Sequence, residues 1–187
     1  MARLIKAAGA IELRPAIEDH FAALVRSIMY QQLAGAAAST IHGRFLKLFK
    51  KGLSPAAVLA LPDGIMRTAG VSGAKSAAIT DLARKVKDGT VPLKNVDSLA
   101  DDEVIAHLVQ VRGIGPWTAE MFLIFQLRRL DVWPVADYGV RKGYALAYGL
   151  HALPTPKRLQ VEGERFRPYR TVAAWYCWQA VHEQRNL

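Results

Sequence analysis

Asp137 opens the stretch Tyr138-Gly139-Val140-Arg141-Lys142, which reads as the start of a helix, and it follows Asp131-Val132-Trp133-Pro134-Val135, where the proline favours extended chain. A carboxylate at such a junction serves as an ordinary N-cap, accepting from the N–H groups that follow. The same position keeps it ionised through the helix dipole, a permanent anion able to face developing positive charge. Upstream, Val111-Arg112-Gly113-Ile114-Gly115-Pro116-Trp117-Thr118-Ala119 sets two glycines one residue apart before an apolar helical run. Gly113 and Gly115 are expected to reverse the chain through positive φ angles, and Pro116 suits the first helical turn. Val104, Ile105, Leu108 and Val109 mark a short helix just before. The product would be a tight helical hairpin with backbone N–H groups beside a helix N-terminus, a corner that attracts phosphate. A plain structural turn would use the same glycines.

The elements that must hold these groups read as helical almost throughout. Ile17, Phe21, Leu24, Val25 and Ile28 recur at helical spacing, as do Ile41, Phe45, Leu48 and Phe49. Ser54-Pro55 and Thr155-Pro156 each put a capping hydroxyl before a first-turn proline. Ile79, Leu82, Ala83 and Val86 form the stripe of a helix closed near Gly89, with Arg84, Lys85 and Lys87 in its last turns. Trp117 to Leu127 is apolar nearly all round and predicts a central buried helix. A final helix is expected from about Tyr169 onward. No strand alternation, repeat or flexible linker stands out. The expected fold is all-α, about ten short helices in one domain over residues 1–187, with the hairpin at about 101–128.

Composition narrows the partners. The chain has 187 residues, 25 Lys+Arg against 16 Asp+Glu and a formal net charge of +9, the footprint of a nucleic-acid binder. No apolar run is suited to span a bilayer, and Met1-Ala2-Arg3-Leu4-Ile5-Lys6 lacks the pattern of a signal peptide, so no membrane partner is expected. The single cysteine, Cys177, makes neither an internal disulfide nor, by itself, a zinc or iron–sulfur site, and a reducing compartment is the consistent reading. His20, His42, His107, His151 and His182 show no metal-ligand spacing.

Val111 to Ala119, followed by Val135-Ala136-Asp137-Tyr138, resembles the helix–hairpin–helix and Gly/Pro…Asp signature of the HhH-GPD base-excision DNA glycosylases. Tyr30-Gln31-Gln32-Leu33 is similar to the family's strand-wedging turn, and Gly70-Val71-Ser72-Gly73-Ala74-Lys75 to one of its helix starts. Arg167 to Trp178 resembles the C-terminal helix of the alkylation-repair branch, 3-methyladenine DNA glycosylase II. The likeness runs over roughly residues 15 to 182 and implies a compact two-lobed helical glycosylase, without the extra N-terminal domain of the Escherichia-type enzyme.

That resemblance implies a monofunctional enzyme that flips alkylated purines, of the 3-methyladenine and 7-methylguanine type, out of double-stranded DNA and hydrolyses their glycosidic bond. Trp117 stands where bifunctional relatives carry a lysine nucleophile, so no lyase activity is expected. Asp137 would be the catalytic carboxylate. Trp117, Trp178, Met121 and Tyr138 would line the base pocket, with Met121 in a place the Escherichia-type enzyme gives to an aromatic residue. Gln31, Gln32 and Leu33 would form the wedge in the base stack. Arg112, Gly113, Ile114, Gly115 and Thr118 would make the phosphate-binding hairpin, where main-chain carbonyls of Val109, Val111 and Ile114 would hold a Na or K ion. No cofactor is required by this scheme and no iron–sulfur cluster is expected. A monomer is expected, associated with the nucleoid in a prokaryotic cytoplasm or located in a eukaryotic nucleus. Two other readings share these features: a glycosylase of the same fold for hypoxanthine or a mismatched base, and a non-catalytic helix–hairpin–helix module that binds DNA through its phosphates.

Overall fold

The computed structural model describes residues 5–6, 8–11 and 16–185. Among these the secondary structure is all-α, with ten α-helices and no strand, as the sequence predicts. The chain divides into two compact units, Ala16–Phe122 and a second built on Leu123–Leu187.

In the Ala16–Phe122 unit, α1 (His20–Tyr30) starts where Asp19 Oδ1 accepts the Ala22 N–H at 2.8 Å. It buries Phe21, Leu24, Val25, Ile28 and Met29, each worth about 1.5–3 kcal/mol on leaving water. Ile17, expected on that stripe, is 97% exposed, because the Asp19 cap begins the helix two residues after it. Helices α2 (Gly35–Leu46), α3 (Pro55–Leu59), α4 (Ile65–Thr68) and α5 (Gly73–Lys87) follow. Ser54 Oγ accepts from Ala57 N at 3.2 Å, the cap that the Ser-Pro pair predicts. α5 buries Ala78, Ile79, Leu82 and Ala83, packs against α1 and α3, and ends before Gly89 at φ +85°. The hairpin pairs α6 (Asp101–Leu108) with α7 (Pro116–Met121).

The apolar run after Trp117 is not one buried α-helix. It is α-helical only to Met121 and continues as a π-turn over Phe122–Gln126. The wider i→i+5 turn shifts the helical register. Leu123 and Ile124 stay buried, while Phe125 is 50% exposed.

The second unit carries α8 (Tyr138–Tyr148), α9 (Pro156–Gly163) and α10 (Arg170–Arg185), the last close to its predicted start. Thr155 Oγ1 accepts from Arg158 N at 3.2 Å, again as the Thr-Pro pair predicts. Its core gathers Trp133, Val140, Tyr144, Leu159, Ala173, Ala174 and Cys177. α8 lies directly on α10, since a Cβ on Gly143 would overlap the Cys177 carbonyl. Burial pushes the Cys177 thiol up to about 12, so it packs there as a small apolar group.

Candidate functional site

Asp137 is the N-cap of α8, with extended backbone at φ −67°, ψ 124°. Its Oδ1 accepts two hydrogen bonds, from the Val140 N–H at 2.7 Å and from Trp178 Nε1 at 2.9 Å. The second donor comes from α10, so this half-buried carboxylate is aimed by tertiary packing as well as by its own helix. The Trp178 indole lies on Phe125 with ring centroids 5.7 Å apart and planes 25° from parallel. Gly139 makes room for the pair: a Cβ there would sit 2.7 Å from Trp178 Cδ1 and 3.1 Å from Asp137 Oδ1. Tyr138, next to the carboxylate in sequence, is largely exposed.

The connector ahead of Asp137 is pinned along its first three residues. Asp131 Oδ1 accepts from Arg170 Nε at 2.7 Å and Oδ2 accepts from Arg167 at 2.8 Å. Thr171 Oγ1 accepts the Val132 N–H at 3.0 Å and donates to the Arg129 carbonyl at 2.7 Å. Trp133 Nε1 donates to the Leu159 carbonyl at 2.8 Å. Burial would raise the Asp131 carboxyl, but the Arg170 hydrogen bonds and the charges of Arg170 and Arg167 hold it below the ordinary carboxylate value.

In the other unit, the glycine hairpin differs from expectation at one residue. Gly113 takes positive φ, +79°, whereas Gly115 is extended at φ −99°, ψ 175°. Gly115 is the N-cap of α7, a position that calls for β-region backbone, and Pro116 fills the first helical position as predicted. Two hairpin N–H groups are spent internally: Ile114 donates to the Val111 carbonyl at 3.0 Å, and Arg112 donates to Asp81 Oδ2 at 2.9 Å. Lys85 Nζ donates to that same Asp81 oxygen at 2.8 Å. Burial opposes ionisation of Asp81, yet these partners, with Arg84 nearby, keep its carboxyl below the usual value. The side chains of Val111, Ile114 and Thr118 are buried, while Arg112 is exposed and Val109 is partly so.

The turn after α1 meets this hairpin. Gln31 Nε2 donates to the Gly113 carbonyl at 3.0 Å. Gln31 and Gln32 share with Tyr30, Trp117 and Met121 the walls of a hollow of about 550 Å³. Trp117 is 46% exposed and Leu33 40% exposed, so both keep apolar surface open to solvent. The predicted hairpin, wedge, Trp117 and Met121 thus come together within one unit, and Asp137 and Trp178 come together in the other.

The family profile described as "HhH-GPD superfamily base excision DNA repair protein" matches residues 25–168. The chain belongs to the HhH-GPD superfamily. Among curated proteins, this HhH-GPD chain is 35% identical over 182 residues to DNA-3-methyladenine glycosylase 1 of Schizosaccharomyces pombe, covering 95% of this chain and 80% of that protein. The structure of that yeast's 3-methyladenine DNA glycosylase in complex with abasic DNA matches with a TM-score of 0.81 at 33% identity, over 95% of this chain and 89% of the other. The DNA-3-methyladenine glycosidase of Bacillus halodurans matches with a TM-score of 0.90 at 36% identity, over 99% and 85% of the two chains. These likenesses put the HhH-GPD chain in the 3-methyladenine glycosylase branch that its motifs resemble.

Several residues that shape the site were not singled out by sequence reasoning. Phe125, Asp131, Thr171 and Lys75 each act across the chain, and their partners are far away in sequence. Gly139 and Gly143 did carry a signal: two glycines four apart inside a helix weaken it unless another backbone must come close.

Proposed function

We propose that this chain is a monofunctional DNA glycosylase that rotates alkylated purines out of duplex DNA and hydrolyses the bond joining them to deoxyribose. The observation that carries the reading is Asp137, a carboxylate fixed by Val140 N–H and Trp178 Nε1 at the start of α8, in a chain of this family. As the purine leaves with the bonding electron pair, C1′ gains oxocarbenium character, and a preorganised anion stabilises that charge. Water then forms the new bond to C1′ and gives up a proton, which the same carboxylate is suited to accept. Trp117, not lysine, occupies the position after the hairpin, so the product is a free base and an abasic site, with no Schiff base to the sugar.

The rest of the strand is handled by the other unit. Gln31, Gln32 and Leu33 fill the gap left in the stack, and exposed Leu33 has the apolar surface for it. With the Arg112 and Ile114 N–H groups spent inside the protein, phosphate binding falls to the N–H groups of Gly113, Gly115 and Thr118. The exposed Arg112 side chain adds its charge, and Ile114 shapes the turn. The carbonyls of Val109, Val111 and Ile114 would hold a monovalent cation beside that phosphate. The Val111 oxygen, which accepts one N–H, keeps a second lone pair for it. Trp117 offers an indole face, where a cationic alkylpurine gains about 0.5–2 kcal/mol over a neutral base. Met121, Tyr138 and Trp178 complete the residues assigned to base recognition. The enzyme acts as a monomer on damaged double-stranded DNA, at the nucleoid or in the nucleus.

The deciding experiment is Asp137→Asn. Asparagine keeps an oxygen to accept both hydrogen bonds and to cap α8, so only the charge is lost. Release of 7-methylguanine from a duplex should fall about 10²- to 10³-fold with DNA affinity retained. An unchanged excision rate would remove Asp137 from catalysis.

A further inference from the structure

The turn Gln31-Gln32-Leu33 is poorly supported by packing. A hollow of about 220 Å³ bordered by Ile41, Gly70, Val71 and Lys75 lies against it. Gln32 adopts φ +56°, a left-handed conformation that side chains other than glycine rarely take. Polar bonds must therefore set the shape of this segment.

Lys75 supplies them. It stands in the first turn of α5, the end of a helix where a cation is disfavoured. Its half-buried ammonium crosses to the C-terminal end of α1, donating to the Met29 carbonyl at 2.6 Å and to the Gln31 carbonyl at 2.8 Å. Carbonyls at a helix C-terminus lack helical partners and favour a cation. Burial lowers the Lys75 pKa, and the two carbonyls are the acceptors its ammonium has in place of water. The held turn is in turn tied to the hairpin, through Gln31 Nε2 and the Gly113 carbonyl.

We propose that Lys75 is the positioning residue of the strand wedge, its ammonium locking the turn that presents Gln32 and Leu33 and, through Gln31, keeping wedge and phosphate grip in one register. This assignment rests on the glycosylase reading. Lys75 reaches neither base nor sugar in this role; it acts through the turn, so its loss should matter only where a stacked base must be displaced.

The test compares Lys75→Met with the unaltered protein in two assays. One is single-turnover release of 7-methylguanine from a duplex and from the same strand unpaired. The other is the fluorescence of 2-aminopurine opposite an abasic site, which reports the wedge entering the stack. Lys75→Met should slow duplex excision about ten- to a hundredfold and cut the 2-aminopurine response, with unpaired-strand excision within about twofold. Lys75→Arg, which can donate to both carbonyls, should recover most of the duplex rate. Equal losses on both substrates, or an unchanged duplex rate, would overturn the proposal. Should Lys75→Met not fold, Lys75→Gln, shorter and uncharged, must give the same selective loss on duplex, and an equal loss on both substrates overturns it. If the unaltered protein releases no alkylated purine at all, the glycosylase reading fails, while dependence of the 2-aminopurine response on Lys75 still decides the role of the lysine.

Discussion

Asp137 and the hairpin–wedge region hold their functional groups by opposite means. Around Asp137 the freedom is removed by close packing: Gly139 admits no side chain, α8 lies on the backbone of α10, and the carboxylate receives donors from both helices. Around the hairpin, Gly115 has nothing within 4 Å of where a Cβ would stand, and Leu33 and Trp117 remain substantially exposed. The hairpin–wedge region is shaped by backbone turns and by single polar bonds such as Gln31 to Gly113. The difference fits the roles proposed for each. A group that stabilises charge gains most when it need not reorganise during the reaction. A surface that grips a strand and enters its stack must leave backbone N–H and apolar area uncovered until DNA arrives.

The sharpest way to break that contrast is to add one methyl group to each region. Gly139→Ala would press on Trp178 Cδ1 and Asp137 Oδ1, and excision should fall about a hundredfold, with about 1–3 kcal/mol of stability lost. Gly115→Ala should leave the melting temperature within about 4 °C. Equal effects of the two in thermal melts and single-turnover assays would erase the distinction. A smaller change probes the donor from α10. Trp178→Phe keeps a ring against Phe125 but removes the N–H on Asp137, and excision should drop about tenfold. An unaltered rate would mean that the Val140 N–H alone aims the carboxylate.

The mildest test uses acid, because each region contains a half-buried carboxylate held below its ordinary value. Asp131 fastens the connector to the first turn of α10, and Asp81 fastens Arg112 to α5. A depressed folded-state pKa contributes stability that is complete above the unfolded value and lost as pH falls through the folded one. Burial also holds His42 below its ordinary value, so a first fall in melting temperature begins below about pH 6.5, and the carboxylates add a further decline below about pH 4. Asp131→Asn and Asp81→Asn should each flatten that decline, and a curve unchanged in both variants would deny the carboxylates this role.

Much of the local structure is legible in the chain itself. Ser54, Thr155 and Asp137 cap the helices that their sequence neighbours announce, and Pro116 opens α7 as expected. The errors are instructive. Gly115 reads as a positive-φ glycine but serves as an extended cap, because glycine is compatible with both and only the following helix decides. Trp117 to Leu127 reads as a single buried helix because apolar content says nothing about the spacing of hydrogen bonds, and the π-turn at Phe122–Gln126 changes which residues face out. Ile17 fits the stripe of α1, yet the nearer capping carboxylate of Asp19 ends the helix before reaching it.

What the sequence determined by itself was most of the helices, the caps at Ser54, Thr155 and Asp137 and the order of the motifs, since these depend on contacts within a few residues of chain. The tertiary structure decided that Trp178 would hold Asp137, that Lys75 would bind the end of α1, and that Gly139 would stay bare between an indole and a carboxylate. Those contacts join residues distant in the chain, and their geometry is set by how closely two helix backbones can approach, a quantity that no local pattern of residue types contains.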